Sequence, residues 1–247
     1  MIDTHVHLGS LEDPELAIEE AVGAGVVGLI TMGVDSADNR AGIELAENHA
    51  AVFAGVGHHP VNVEPPDWMQ IEKLVGHPRV VALGEVGLDY AHLESPAELQ
   101  RAWLHRFCDL AIDTQLPLSI HTREAESDVY EILRAHPGVR GVIHYFSLSW
   151  DWAVRFLDLG IHLSFSGLIT RPSRGELRQV VGRCPENRLL LETDAPFGTP
   201  HGHRGEANRP AWIVDTWHAV AEIREMPTTA LGDQEQSNAR TLFSRIV

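Results

Sequence analysis

Six residues of types that bind metal ions fall at or just after the ends of predicted strands. They are His5, His7, Glu85, His121, His144 and Asp194. Side chains two positions apart on a strand share a face, so the first two can direct both imidazoles at one ion. Six gathered ionisable groups would be costly to desolvate without a shared partner, and divalent cations would be that partner. We therefore predict one metal centre from the whole set, although each residue alone could be a hydrogen-bonded core histidine or a helix cap.

The donor types limit the choice of metal. Four imidazoles with two carboxylates suit Zn²⁺, Mn²⁺, Ni²⁺ or Fe²⁺, and Mg²⁺ stays among the candidates. Two ions about 3.5–4 Å apart need a bridging group, and we assign that role to Glu85. Some binuclear barrels use a carbamylated lysine instead. Lys73 is the only lysine and lies in a predicted amphipathic helix, so the sequence argues against a lysine bridge.

Apolar runs alternate with helical patterns along the whole chain, which is typical of a parallel α/β fold. The predicted strands are 2–7, 26–32, 51–57, 80–84, 118–121, 141–144, 162–164 and 188–192. The predicted helices are 13–24, 36–49, 67–76, 95–114, 123–136, 150–159, 173–181, 210–225 and a short terminal helix near Ala239. We predict a single TIM (β/α)₈ barrel domain over 1–247, with the six residues at its active, carboxyl-terminal face. A doubly wound open sheet is the alternative.

The net charge of −16 argues against a broad basic surface for gripping nucleic acid, so any phosphate must be held by a local cluster or by metal ions. The two cysteines, Cys108 and Cys184, have neither metal-binding nor redox spacing. No signal peptide and no apolar run of about 20 residues is visible. We expect a cytoplasmic protein with no membrane partner.

Several ordered segments of this chain resemble the TatD family of metal-dependent deoxyribonucleases. They read IDTHVHL, VGHHP, GEVGLDY, LPLSIHTREA, IHYFS, LSFSGLIT, LLLETDAPF, HRGEANRP and NARTLF. The resemblance covers nearly the whole chain and implies a TIM barrel, two divalent metals and hydrolysis of phosphodiester bonds. It implies one metal on His5, His7, Glu85 and Asp194, and the other on Glu85, His121 and His144.

Four positions depart from the family pattern. Tyr145 stands where a cysteine is usual, Leu148 where a glycine is usual, and Val61 where a histidine is frequent. The usual Asn-Glu-Pro reads Asn208-Arg209-Pro210. We expect all four to lie near the mouth of the barrel, where they bear on the substrate more than on the chemistry.

Asp194 and Glu85 are the predicted catalytic residues, because Asp194 can hold a metal and also orient the attacking water or take its proton. His59, Arg123 and Arg204 are predicted to bind substrate, since guanidinium suits phosphate. Arg123 could instead pair with Glu126, and Arg204 could be a solvated loop residue. Asp89 is expected to support a ligating histidine.

Three functions fit these patterns. The first is a metal-dependent phosphodiesterase that acts as a DNA exonuclease; single strands usually stack on aromatic side chains, and Trp68, Trp150, Trp152 and Tyr145 are candidates. The second is a two-metal hydrolase of a small phosphate ester, amide or ester. The third is a barrel that keeps metals without catalysis, although a structural zinc site is normally closed by four ligands.

Overall fold

Eight parallel strands form a TIM barrel in the computed structural model, which describes residues 1–246; the last residue of the predicted 1–247 domain lies outside them. Each strand pairs with the next along the chain. The strands are β1 (Ile2–Val6), β2 (Gly28–Met32), β3 (Val52–Val56), β4 (Val80–Asp89), β5 (Leu118–Arg123), β6 (Gly141–Ile143), β7 (His162–Phe165) and β8 (Leu189–Leu191). Nearly every strand residue is buried, which explains why the strands read as continuous apolar runs. The predicted barrel is confirmed, and the open sheet is wrong.

The barrel closes between its first and last strands. The Thr4 hydroxyl donates to the Leu191 carbonyl at 2.9 Å. Just past β8, Asp194 N donates to His5 O at 2.9 Å, and His7 N donates to Ala195 O at 2.9 Å. The closing hydrogen bonds therefore come from the same backbone segments that carry three of the predicted metal ligands.

Within residues 1–246, nine α-helices lie outside or beneath the strands. They are α1 (Pro14–Gly23), α2 (Ser36–Asn48), α3 (Trp68–Leu74), α4 (Ala97–Thr114), α5 (Glu126–Ala135), α6 (Trp150–Asp158), α7 (Gly175–Arg183), α8 (Ile213–Ile223) and α9 (Thr228–Leu242). Three begin at aspartates whose side chains accept from backbone N–H groups of the first turn: Asp13, Asp35 and Asp67. No helix within residues 1–246 has both the length and the apolar character needed to cross a bilayer.

Helix α9 closes the amino-terminal end of the barrel. The prediction of a short helix near Ala239 is wrong, because α9 has 15 residues. Although most of its residues are polar, the helix has a buried face that includes Leu231, Asn238 and Leu242. Phe243, which follows the helix, packs with Ile2 and other strand residues. With this end plugged, the carboxyl ends of the strands are left for a site.

Candidate metal centre

Glu85 joins the histidines of the predicted centre. It lies within β4 and is buried. Its Oε1 lies 2.7 Å from His121 Nδ1 and 2.8 Å from His144 Nε2. Its Oε2 lies 3.5 Å from His5 Nε2 and 3.3 Å from His7 Nε2. Among the four predicted histidine ligands, each oxygen thus faces a different pair.

Asp194 completes the cluster from the segment after β8. Its Oδ1 lies 3.4 Å from His7 Nε2 and 3.8 Å from His5 Nε2. Its backbone φ of 58° is in the left-handed region, which non-glycine residues seldom adopt and which recurs at functional sites. The structure therefore brings all six predicted ligands together.

The outward nitrogens of the four histidines face groups from neighbouring elements. These groups are Ser119 Oγ at 2.9 Å from His5 Nδ1, Met32 O at 3.2 Å from His7 Nδ1, Asp89 Oδ2 at 3.0 Å from His121 Nε2, and Glu192 Oε1 at 3.6 Å from His144 Nδ1. The expected support of a ligating histidine by Asp89 is confirmed. Such partners fix ring orientation and tautomer in metal sites.

Two of these contacts determine the tautomer and test whether a metal fits. The Met32 carbonyl and the ionised Asp89 carboxylate can only accept, so they place hydrogens on His7 Nδ1 and His121 Nε2. In the neutral rings, the other nitrogens then point lone pairs at carboxylate oxygens, as close as 2.7 Å for His121 and Glu85. Facing acceptors repel unless a cation or a proton lies between them. The donor set therefore fits bound metal.

The charges of the cluster lead to the same conclusion. Burial, aided by the nearby His144, lowers the pKa of His5 to about 3. Burial would also lower the pKa of His7, but hydrogen bonds to Asp194 and Glu85 raise it to about 10. Burial opposes ionisation of Glu85, yet His144 and His59 hold its pKa well below the usual range. The ionised carboxylate thus requires positive charge beside it, which protons and metal ions compete to provide.

His59 differs from the four predicted ligands in its hydrogen bonding. Its Nδ1 accepts from Val61 N at 3.3 Å, so in the neutral ring Nε2 carries the hydrogen. That Nε2 lies 3.4 Å from Glu85 Oε1. By position His59 groups with Glu85 and His121, but in this tautomer it presents a donor to the centre rather than a lone pair. The two other close groupings are His5 with Glu85 and His144, and His5 with His7 and Asp194.

A cleft of about 830 Å³ opens above the cluster. His59 and Arg123 line it, whereas Arg204 lies exposed in the loop after β8 and is not a lining residue. The alternative pairing of Arg123 with Glu126 is absent among residues 1–246. Sequence reasoning missed four residues: Arg171, Arg174 and Phe197 in the lining, and Glu192 beneath His144.

The aromatic candidates also separate by position. Tyr145 lines the cleft. Trp68 packs on Phe107 outside the barrel, and Trp150 and Trp152 lie on α6. No tryptophan is among the lining residues of this cleft. Phe197, three positions after Asp194, lies in a loop without periodicity, so the sequence carries no signal for it.

The positions that depart from the family pattern also differ in whether they line the cleft. Val61 and Tyr145 line the cleft, as expected. Leu148 packs against the core, and Arg209 pairs with Glu20 of α1 at 3.2 Å; neither is among the residues that line the cleft. Their positions follow from side-chain chemistry, since an apolar chain gains by burial and a guanidinium gains from a surface carboxylate.

Comparison with known proteins identifies the family. A sequence profile described as "TatD related DNase" matches residues 2–244. The chain belongs to this TatD family. The "Uncharacterized metal-dependent hydrolase YabD" of Bacillus subtilis is 34% identical, with 98% of each chain covered. The "Uncharacterized metal-dependent hydrolase TatD" of Mycobacterium tuberculosis is 37% identical, with 98% of this chain and 97% of the relative covered.

A solved TatD-family structure also superposes over the whole barrel. The crystal structure of YJJV, a TatD homologue from Escherichia coli K12, matches with a TM-score of 0.91 and 31% identity. The match covers 99% of this chain and 98% of the other. The resemblance to the TatD family is thereby confirmed, and the chain is a metal-dependent hydrolase of that family.

Proposed function

We propose that this hydrolase cleaves phosphodiester bonds of DNA from a strand end, using two divalent ions. The observation that carries the proposal is the Glu85 carboxylate, each oxygen of which faces its own pair among the four predicted histidine ligands. Membership of a family described as TatD related DNase supports the substrate class.

The residues divide between two metal positions. One ion would be held by His5, His7, Glu85 and Asp194, and the other by Glu85, His121 and His144. When bound, such ions lower the pKa of a water and offset charge on a phosphate group.

The side chains around the ligands have separate tasks in this mechanism. Asp194, beside His7, orients the attacking water and accepts its proton. His59 directs its Nε2 hydrogen into the centre, where it can donate to a phosphate oxygen or to the departing oxygen. Arg123, exposed at the end of β5, can bind a phosphate bidentately. Arg204 remains a predicted substrate residue that would have to act from outside the cleft.

The decisive experiment combines metal analysis of the purified protein with digestion of end-labelled single-stranded DNA after reconstitution. We expect about two ions per chain and stepwise shortening from an end. Glu85→Ala and Asp194→Ala should abolish turnover while the cooperative unfolding transition persists. Lys73→Ala, an exposed position on α3, is the matched control and should retain turnover. Full activity of either site variant would contradict the assignment.

Hydrolysis of a small phosphate ester, amide or ester is the second candidate, and the net charge of −16 favours it by weakening attraction to a polyanion. A panel of such substrates separates the two, because turnover of small esters or amides without oligonucleotide cleavage would establish the second. We propose a cytoplasmic location for either activity, supported by two buried cysteines without a disulfide.

A further inference from the structure

Three arginines line the cleft: Arg123, Arg171 and Arg174. The sequence has 35 acidic and 19 basic residues, and surface arginines such as Arg106 and Arg134 pair with glutamates. Within residues 1–246, no carboxylate lies within ion-pair distance of Arg123, Arg171 or Arg174. Three guanidinium groups gathered in one cleft, with no carboxylate within ion-pair distance, suit binding of an anionic ligand.

Arg171 is held in position by the loop that follows β8. Its Nη2 donates to the Thr199 carbonyl at 3.3 Å, while its buried Nε has no hydrogen-bond partner. The contact with Thr199 orients the guanidinium group, and the Arg171 side chain remains partly exposed in the lining of the cleft. Arg174 lies three positions later and is exposed in the same lining. Arg171 and Arg174 thus both follow β7, which lies between β6 and β8. His144 follows β6, and Asp194 follows β8.

Phe197 presents an aromatic side chain beside these arginines. It lies two positions before Thr199. Its side chain is 60% exposed, and it is the one aromatic residue among the exposed large apolar side chains of residues 1–246. Its ring centroid is 6.1 Å from that of His7. Asn208 donates to the Phe197 carbonyl at 2.6 Å and fixes the loop. An exposed ring is costly in water, and a fixed one suits stacking with a planar ligand group.

We infer that Phe197, Arg171 and Arg174 form a subsite for the nucleotide adjacent to the scissile phosphodiester. Phe197 stacks on the base, and the two arginines bind its phosphate. A phosphate ion or a small phosphate monoester would contact the two arginines alone and leave the Phe197 ring exposed. A nucleotide contacts both the arginines and the ring. This inference rests on the proposed function and specifies what lies next to the reacting bond.

The test uses pairs of end-labelled single-stranded oligonucleotides. One member of each pair is intact, and the other has a single abasic residue at one of its two terminal positions. Separate pairs carry the abasic residue at the 5′ end and at the 3′ end. Stacking is worth about 1–3 kcal/mol per base, so the parent enzyme should prefer the intact strand by roughly 5–150-fold in kcat/KM. Phe197→Ala should reduce that ratio to about one. Met69→Ala, an exposed apolar residue of α3, is the control and should keep the ratio.

The phosphate half of the subsite is tested with a neutral methylphosphonate at the linkage next to the scissile one. The parent enzyme should lose about tenfold in kcat/KM on this substrate, while the Arg171→Ala/Arg174→Ala variant should not distinguish it from the normal linkage. Arg134→Ala, on the outer face of α5, should behave as the parent does.

Binding of the same oligonucleotides by fluorescence anisotropy separates failure of the subsite from failure of the proposed function. Cleavage without discrimination between intact and abasic strands would overturn the subsite. Base-dependent binding that Phe197→Ala abolishes, without any cleavage, would support the subsite and overturn the proposed nuclease. Equal binding of intact, abasic and methylphosphonate strands would overturn the subsite whether or not cleavage occurs.

Discussion

Asp89 determines which ring nitrogen of His121 carries the hydrogen. Its Oδ1 accepts from His92 N at 2.8 Å, and its Oδ2 accepts from His121 Nε2 at 3.0 Å. The ring nitrogen that faces Glu85 therefore carries a lone pair rather than a hydrogen, as a metal ligand requires. A single carboxylate outside the ligand set thus controls whether His121 can bind a cation.

Asp89→Asn should weaken metal binding by about 10–100-fold, measured by calorimetric titration of the metal-stripped protein. The amide oxygen must keep the His92 N–H, because the opposite orientation would place two donors together. The amide NH₂ then faces His121, which moves its hydrogen to the nitrogen that faces Glu85 and blocks that ligand position.

Glu94→Gln is the matched control for this substitution. Glu94 is an exposed acid that lines the same cleft and makes no ion pair within residues 1–246. It should leave metal affinity within about twofold of the parent, so a loss as large as that of Asp89→Asn would assign the effect to charge alone.

Strand β4 approaches its neighbours more closely than side chains allow at two glycines. A Cβ at Gly57 would overlap the backbone of Gly84 and Glu85, and a Cβ at Gly87 would overlap the His121 backbone. Gly87 also has a φ of 150°. These two positions bring the Glu85 and His121 backbones to the separation at which their side chains meet.

Gly87→Ala should therefore force β4 and β5 apart, lower the unfolding free energy by about 2–4 kcal/mol and reduce metal content. Denaturant unfolding and metal analysis measure the two effects. Gly23→Ala, in α1 with open space around it and ordinary helical geometry, is the control. It should be neutral or stabilising by up to about 1 kcal/mol.

The strands and most helices could be predicted from the sequence because burial on both faces imposes long apolar runs on parallel strands. Their ends were harder to predict. β4 was expected to stop at residue 84, but it continues to Asp89 beside β5. Helix α9 was underestimated because its buried face includes Glu235 and Asn238, polar residues that satisfy backbone groups of other segments.

Site residues could be predicted where they end strands and not where they belong to loops. His5, Glu85 and His144 are placed by strand periodicity. Arg171 and Phe197 lie in segments without periodicity, and only the folded chain shows that the loops after β7 and β8 meet at the Arg171–Thr199 contact. Arg204, predicted for the same task, lies in a loop that the cleft does not include.

The acidic charge of the whole molecule limits how strongly a polyanion can be attracted. If Arg123 neutralises one phosphate and the Arg171–Arg174 pair neutralises a second, log kcat/KM on single-stranded DNA should fall with log salt at a slope of about −1.4. The Arg171→Ala/Arg174→Ala variant should make the slope shallower by about 0.7. Rate measurements over a salt series test this prediction. A slope several times steeper would mean that many more basic side chains contact the strand.

His162 should make the stability of the whole barrel depend on pH. It begins β7, and burial, aided by Arg188 and Arg140, lowers its pKa to about 4. The unfolded chain, with a pKa near 6.5, binds this proton more readily. Stability is therefore complete above about pH 6.5 and is lost as pH falls toward 4, by about 3 kcal/mol in total.

Unfolding free energies of His162→Gln between pH 4 and pH 7 test this, and the variant should have a flatter profile than the parent. His218→Gln, at an exposed position of α8, is the control and should keep the parent's pH dependence. A profile unchanged by His162→Gln would show that other groups cause the acid sensitivity.

Because the centre spans the seam between β1 and β8, it can be assembled only after β8 and the segment that follows it have been synthesised. Thr4 and Leu191 are 187 positions apart in sequence yet share a hydrogen bond, and the ligands His5 and Asp194 lie on either side of that seam. A ribosome-bound chain that has not yet released its eighth strand holds His5 and Glu85 but lacks Asp194. If the proposed centre is the site of hydrolysis, prematurely terminated chains that lack Asp194 should be inactive.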